Sequence, residues 1–170
     1  MKNYLIGLSL FITVFSVAQV NNQNTQKKPG NHIITNDAAL PGLLTEFYDG
    51  AIYNQVDYAP QLISLQKVVL IQANLNFLGD VVEIEGGQEI WLNSKLLLYP
   101  NLMYAIFYHQ MGVLYGVPED EDSHNLDFMS DRWEINPKYE NWAYNRRQRS
   151  AQKKIFFDKL AKLHPLAKQL

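Results

Sequence analysis

The residues with the strongest chemical signal lie in one short stretch, 109–119, which reads HQMGVLYGVPE. In a metal-binding helix of the H-E-x-x-H type, two histidines lie one turn apart, and a glutamate beside them deprotonates a zinc-bound water. In the longer form of this pattern the chain turns at a glycine, and a third ligand follows about ten residues after the first. His109 and Gly116 match this spacing, and Glu119 falls at the third ligand position. The stretch therefore has the layout of a water-activating zinc site.

Two positions depart from that layout. Gln110 replaces the glutamate, and because an amide does not take a proton from water near neutral pH, this removes general-base help worth roughly two to four orders of magnitude in rate. Val113 replaces the second ligand and has no lone pair to give. One imidazole and one carboxylate, from Glu119 or Asp120, fall short of the usual three protein ligands. We therefore expect no catalytic residue and no metal. His109 is then a hydrogen-bonded core histidine, and Val113 fills the pocket from the buried face of its helix.

The surrounding stretch, roughly 37–135, resembles the zincin-like, metzincin-type metallopeptidases. The order of features is similar to that family: a helix, mixed strands, the segment 89–93, the His109 helix and the turn at Gly116. The segment 128–130 (FMS) then looks like the methionine turn of the family. The resemblance implies an α+β domain with a small mixed or antiparallel sheet, an active-site-type helix and a peptide cleft along the edge strand. Since the base and one ligand are replaced, it implies a catalytically inactive relative, a pseudo-peptidase.

A rearranged zinc site is the alternative that the residues leave open. It would take its metal ligands from four positions: His109, Glu119, Asp120 and His124. Glu119 or Glu121 would then be the new base, and the chain would be a zinc-dependent metallopeptidase. A calcium site in the acidic loop 119–127 is disfavoured because the loop lacks the glycine and the distal glutamate of the helix–loop–helix calcium site.

Hydrophobic periodicity predicts the elements that hold this stretch. Residues 38–53 have helical spacing, 68–71 form a short β-branched run typical of a buried strand, and 96–114 is a largely apolar helix. Alternation over 81–92, interrupted by Gly86-Gly87, predicts an antiparallel hairpin. In that hairpin we expect one buried apolar face and one solvent-facing row of glutamates: Val82, Ile84, Ile90 and Leu92, and then Glu83, Glu85 and Glu89.

The N-terminus indicates export. Residues 1–18 have the positive start, apolar stretch and small-residue end of a secretory signal peptide, with cleavage expected after Ala18. We expect 19–36 to be a flexible polar leader, 37–135 to be the zincin-like domain and 136–170 to be a basic amphipathic helix. The mature protein would be periplasmic, with release from the cell as the alternative. The chain has no cysteine, which suits an oxidising compartment.

The charge is unevenly distributed although the net charge is only −2. Residues 19–130 hold 4 basic and 13 acidic side chains, net −9, and residues 131–170 hold 10 basic and 4 acidic, net +6. This balance argues against bulk nucleic-acid binding, and no apolar run after the signal peptide is long enough to span a bilayer. We expect a stripe of Phe156, Leu160 and Leu163 to dock the C-terminal helix on the domain rather than on a membrane surface. Its basic side chains are the predicted partner-binding residues: Arg146, Arg147, Arg149, Lys153 and Lys154.

These patterns favour an exported, non-catalytic zincin-like protein that acts as a binding or scaffold subunit of an envelope or secretion-related assembly. Its predicted partner is a protein, which includes a membrane-associated complex, and no cofactor is expected. The first alternative is the zinc metallopeptidase with rearranged ligands. The second is a membrane-peripheral protein led by its basic helix.

Overall fold

The computed structural model describes residues 32–119, 128–130, 133–135 and 146–166. Its four named helices are α1 (Leu40–Tyr53), α2 (Ala59–Ser64), α3 (Pro100–Leu114) and α4 (Arg146–Leu163), and a 3-10 helix, Ser94–Leu98, precedes α3. Its strands are β1 (Ile34–Thr35), β2 (Leu65–Ile71), β3 (Gly79–Ile84) and β4 (Gly87–Asn93). The predicted signal peptide, most of the predicted leader, the acidic residues 120–127 and the predicted helical residues 136–145 lie outside the described residues.

The strands form one mixed sheet in the order β1-β2-β4-β3. β1, β2 and β4 run parallel, and β3 pairs antiparallel with β4 at one edge. Helices and a mixed sheet in one unit confirm the predicted α+β class. The sheet begins within the predicted leader, 19–36, because Ile34 and Thr35 pair with Lys67 and Val68 of β2.

The predicted hairpin is present, but the predicted faces of its first strand are wrong. The turn contains Gly86, whose φ of +85° fits the left-handed conformation of such loops. Val81, rather than Val82, lies opposite the buried Ile90, and Val82 lies opposite Glu89. Because side chains alternate along a strand, a register that differs by one residue exchanges the two faces.

An aromatic cluster joins three helices into one core. Phe47 of α1 lies 5.8 Å from Tyr108 of α3, and Tyr108 lies 5.4 Å from Phe156 of α4, measured between ring centroids. Twelve of the fifteen residues of α3 are buried, so this helix is surrounded on nearly all sides. Val113 is an exception: it lies in the last turn and is 37% exposed. The prediction that Val113 fills a pocket from the buried face is therefore wrong.

The helix α4 is docked on the domain, as its apolar stripe predicts. Phe156, Phe157 and Leu160 are buried, and the ring of Phe157 lies 5.7 Å from that of Phe47. Leu163, the third member of the predicted stripe, is 47% exposed because it is the last residue of the helix. The helix and the sheet thus share one hydrophobic core.

Replacing Phe157 by alanine tests whether α4 is an integral part of this core. Since the ring is 1% exposed, we expect F157A to lose about 3–5 kcal/mol of unfolding free energy, measured by urea denaturation followed by circular dichroism. The matched control is L163A in the same helix, where we expect a loss below about 1 kcal/mol. Equal losses in the two variants would contradict the docked arrangement.

Candidate functional site

A tight turn after α3 brings the chain back beside the helix. Gly116 has a φ of +69°, a left-handed conformation that costs residues with a Cβ more than it costs glycine. The amides of Gly116 and Val117 donate to carbonyls in the last turn of α3, both at 2.9 Å, in the Schellman pattern. The helix therefore ends where the sequence predicts, and Glu119 returns to His109.

His109 is held by two segments that follow α3. Its Nδ1 lies 2.8 Å from the carbonyl oxygen of Phe128, and because a carbonyl only accepts hydrogen bonds, Nδ1 carries the proton and donates. Nε2 lies 3.4 Å from Oε1 of Glu119, a contact that is an ion pair only when the ring carries its second proton. The side chain of His109 is 11% exposed and that of Glu119 is 51% exposed. His109 is thus buried and hydrogen-bonded, as predicted, with its second nitrogen facing a carboxylate.

The segment 128–130 packs directly against α3. The ring of Phe128 lies 4.9 Å from that of Tyr108, and Ser130 is buried. The sulfur of Met129 lies so close to Gly112 that a Cβ there would collide with it. A side chain at position 112 would therefore force the Met129 side chain to move away from α3.

An open cavity of about 310 Å³ lies beside these residues. Its lining comes from the segment before β3, from one face of α3 and from the returning chain: Asn76, Phe77, Leu78, Gly79, Ile106, His109, Gln110, Glu119, Ser130 and Trp133. Gln110 is 6% exposed, and its side-chain amide has no hydrogen-bond partner among the described residues. Neither polar atom of that amide is fully buried, and Gln110 lines the cavity. The cavity lining therefore includes a deeply set amide without a hydrogen-bond partner among the described residues.

One wall of the cavity is formed by the segment that precedes β3, and this segment is held in place by Asn93. The sequence patterns do not single out this residue. Its Nδ2 donates to the carbonyls of Asn74 and Phe77, both at 2.7 Å, and its Oδ1 accepts from the Lys95 amide. Asn93 is fully buried at the end of β4. A buried asparagine that closes an apolar strand is a signal that could have indicated this role, because a buried amide needs partners.

Of the four candidate zinc ligands, the structure brings His109 and Glu119 together. Asp120 and His124 lie outside the described residues. Within the described ranges, no three histidine, cysteine, aspartate or glutamate side chains converge. Val113 is not one of the described residues that line the cavity. One imidazole and one carboxylate do not supply the three protein ligands that catalytic zinc uses, so the described residues do not fit that metal.

Glu89 is buried, and the prediction that it faces water is wrong. Lys67, its neighbour on β2, places Nζ 2.6 Å from Oε1, and the Trp91 indole donates to Oε2 at 2.8 Å. These two hydrogen bonds, the one from Lys67 first, lower the pKa of the Glu89 carboxyl below its ordinary value. The parallel strand β2 thus covers Glu89, whereas Glu83 and Glu85 are exposed as predicted.

Two of the predicted partner-binding residues contact other helices of the chain, and a third pairs within α4. The Arg149 guanidinium hydrogen-bonds to the Asn101 side chain and lies 4.6 Å from the centre of the Tyr104 ring. Lys153 forms an ion pair with Glu46 at 2.8 Å. Exposed Lys154 lies 3.7 Å from Asp158. The side chains of Arg146 and Arg147 lie outside what the structure describes. This side of α4 therefore anchors the helix to α1 and α3.

No family profile, curated protein or solved structure matches the chain. The zincin-like resemblance therefore stays a prediction. Among the helices of the described ranges, none has both the length and the apolar character that a membrane crossing requires.

The ion pair between Lys67 and Glu89 predicts that the stability of the fold depends on pH. Because the folded-state pKa of Glu89 is lowered, its carboxylate stabilises the fold above the unfolded value of about 4.3, and this contribution is lost as the pH falls through the folded pKa. In urea denaturation at pH 7, we expect E89Q to have a lower free energy of unfolding than the wild type. This difference should become smaller as the pH approaches 3. E83Q, at an exposed position on β3, is the control and should show no comparable gap. A difference in unfolding free energy between E89Q and the wild type that does not change with pH would contradict this role of the Glu89 carboxylate.

Proposed function

We propose that this chain is an exported, non-catalytic zincin-like protein that acts as a binding or scaffold subunit of an envelope or secretion-related assembly. The observation that carries the proposal is the amide of Gln110 in the cavity beside His109, where a catalytic zincin has its general base. Export rests on the signal-peptide pattern of residues 1–18, and a periplasmic location is favoured over release.

Three features of the described residues support the zincin-like part of the proposal. The helix with His109 ends in a glycine turn that returns a carboxylate, Glu119, to the imidazole. The methionine of 128–130 packs beneath the same helix, at Gly112. The antiparallel edge strand, β3, begins at the cavity, where the resemblance implies a peptide cleft.

The chemistry of the cavity supports a non-catalytic role. Gln110 cannot accept a proton from water near neutral pH, and Val113 offers no lone pair to a metal. Only two ligand-type side chains, His109 and Glu119, meet there among the described residues. A cavity beside β3, the edge strand of the sheet that the described residues form, can still bind an extended peptide by strand addition. We therefore favour the cavity and β3 as the partner surface, since Arg149 and Lys153 of α4 are used within the chain.

The 3.4 Å approach of Glu119 to His109 favours one alternative, a zinc metallopeptidase whose remaining ligands come from Asp120 or His124. The wild-type protein separates the two proposals. We expect substoichiometric zinc by elemental analysis and no peptide cleavage that a chelator abolishes. Stoichiometric zinc that H109A removes, together with chelator-sensitive cleavage, would overturn the non-catalytic proposal and support the alternative.

Restoring a ligand tests the zincin-like geometry directly. V113H adds an imidazole one turn from His109, and with Glu119 this makes the three protein ligands of a zinc site. We expect V113H to gain stoichiometric zinc binding, measured by calorimetric titration with zinc and by elemental analysis after dialysis. Because Val113 is 37% exposed, we expect the substitution to leave the fold intact, which circular dichroism checks.

The matched control for this experiment is V113L, which changes the same position without adding a ligand and should bind no zinc. H109A combined with V113H should lose the gained site. A folded V113H variant that binds no more zinc than V113L would count against the zincin-like arrangement of these residues.

A further inference from the structure

The cavity beside His109 is lined by a carboxylate and an amide that can accept hydrogen bonds from a ligand. Nδ1 of His109 donates to the Phe128 carbonyl, and Nε2 lies 3.4 Å from Oε1 of Glu119. The side chain of Glu119 is 51% exposed, so its carboxylate is open to a ligand, and the amide of Gln110, which has no hydrogen-bond partner among the described residues, adds a carbonyl oxygen on the same lining. A carboxylate and an amide oxygen favour a cation with several N–H groups over an anion.

The aromatic and apolar residues of the lining favour a guanidinium over a small metal ion. Trp133 and Phe77 give the cavity aromatic groups, and Ile106 adds an apolar one. A guanidinium stacks on aromatic rings and presents donors in a planar fork, whereas a small metal ion uses neither property. A volume of about 310 Å³ is at the small end of the range of ligand pockets and is large enough for one long side chain.

The position of the cavity beside an edge strand indicates how a guanidinium group enters it. Leu78 and Gly79, which line it, lie at the start of β3, the edge strand of the sheet. An extended peptide added along this edge carries its side chains alternately to either face, so one of them reaches the cavity.

We propose that this cavity binds the guanidinium group of an arginine in an extended peptide of the partner protein, through Glu119 and Gln110, which line it beside His109. The inference rests on the proposed binding function and names the chemistry of its partner. Glu119 pairs with the charge, and the amide of Gln110 accepts a further N–H.

The test compares two blocked pentapeptides that differ only in a central arginine or citrulline, titrated calorimetrically into the purified protein in the presence of EDTA. Citrulline keeps the shape of arginine but is neutral. We expect the arginine peptide to bind roughly tenfold more tightly or better, as a charged hydrogen bond implies. Agmatine, a guanidinium without a peptide, should bind more weakly than the arginine peptide if strand addition contributes.

Two variants assign the effect to the cavity. E119Q should abolish the preference for arginine over citrulline, and its half-exposed position makes a folding defect unexpected. Q110L should weaken binding of the arginine peptide, with circular dichroism as the check on folding. The control is E83Q, an exposed carboxylate of β3 that does not line the cavity and should leave the preference unchanged.

The outcomes separate this inference from the proposed function. Equal affinities for the two peptides, no binding of either, or a preference that survives E119Q would overturn the arginine site while the non-catalytic proposal stands. If agmatine binds as tightly as the arginine peptide, the peptide backbone contributes nothing to binding, and the proposal that the guanidinium belongs to a peptide would be wrong. Zinc-dependent cleavage by the wild type would instead overturn the proposed function. Because the peptide titrations contain EDTA, any zinc-dependent cleavage does not affect their result.

Discussion

The burial of α3 on nearly every side is the constraint on which the rest of the structure depends. A helix with so few exposed residues must be surrounded, and the sheet, α1, α4 and the segment 128–130 each cover part of it. The packing fixes the direction of every side chain in its middle turns. His109 and Gln110 are therefore held in the interior as parts of the core, and the cavity lies between them and the returning chain at Glu119.

That same burial explains why the sequence predicted the helix but not its faces. The run 96–114 is apolar on all sides, so its periodicity cannot tell an inner position from one near the end, and Val113 was assigned to the buried face. The hairpin has a similar limit. Two adjacent glycines indicate a turn, but the loop consists of Glu85 and Gly86, since Ile84 already pairs with Gly87. One residue of register decides which side chains of a strand are buried.

The parts of the site that depend on local chemistry could be predicted, and those that depend on distant contacts could not. The end of α3 at Gly116 and a hydrogen-bonded His109 follow from residue types and spacing. The partner of Lys153, in contrast, is Glu46, 107 positions away, and Glu89 is covered by Lys67 from a parallel neighbour. No periodicity in one segment contains such information, so basic residues with a structural role were predicted to bind a partner.

Gln110 links the stability of the core to the proposed binding role. An amide without a hydrogen-bond partner at a deeply buried position costs about 1–3 kcal/mol relative to one that is satisfied. The cavity reduces this cost because it keeps the amide in contact with solvent, so the open space and the polar side chain belong together. An apolar residue at position 110 would pack without this penalty but would offer nothing to a ligand. Among the described residues, the structure thus combines a nearly fully buried α3 with a partly polar cavity beside it, and the proposed binding role rests on that combination.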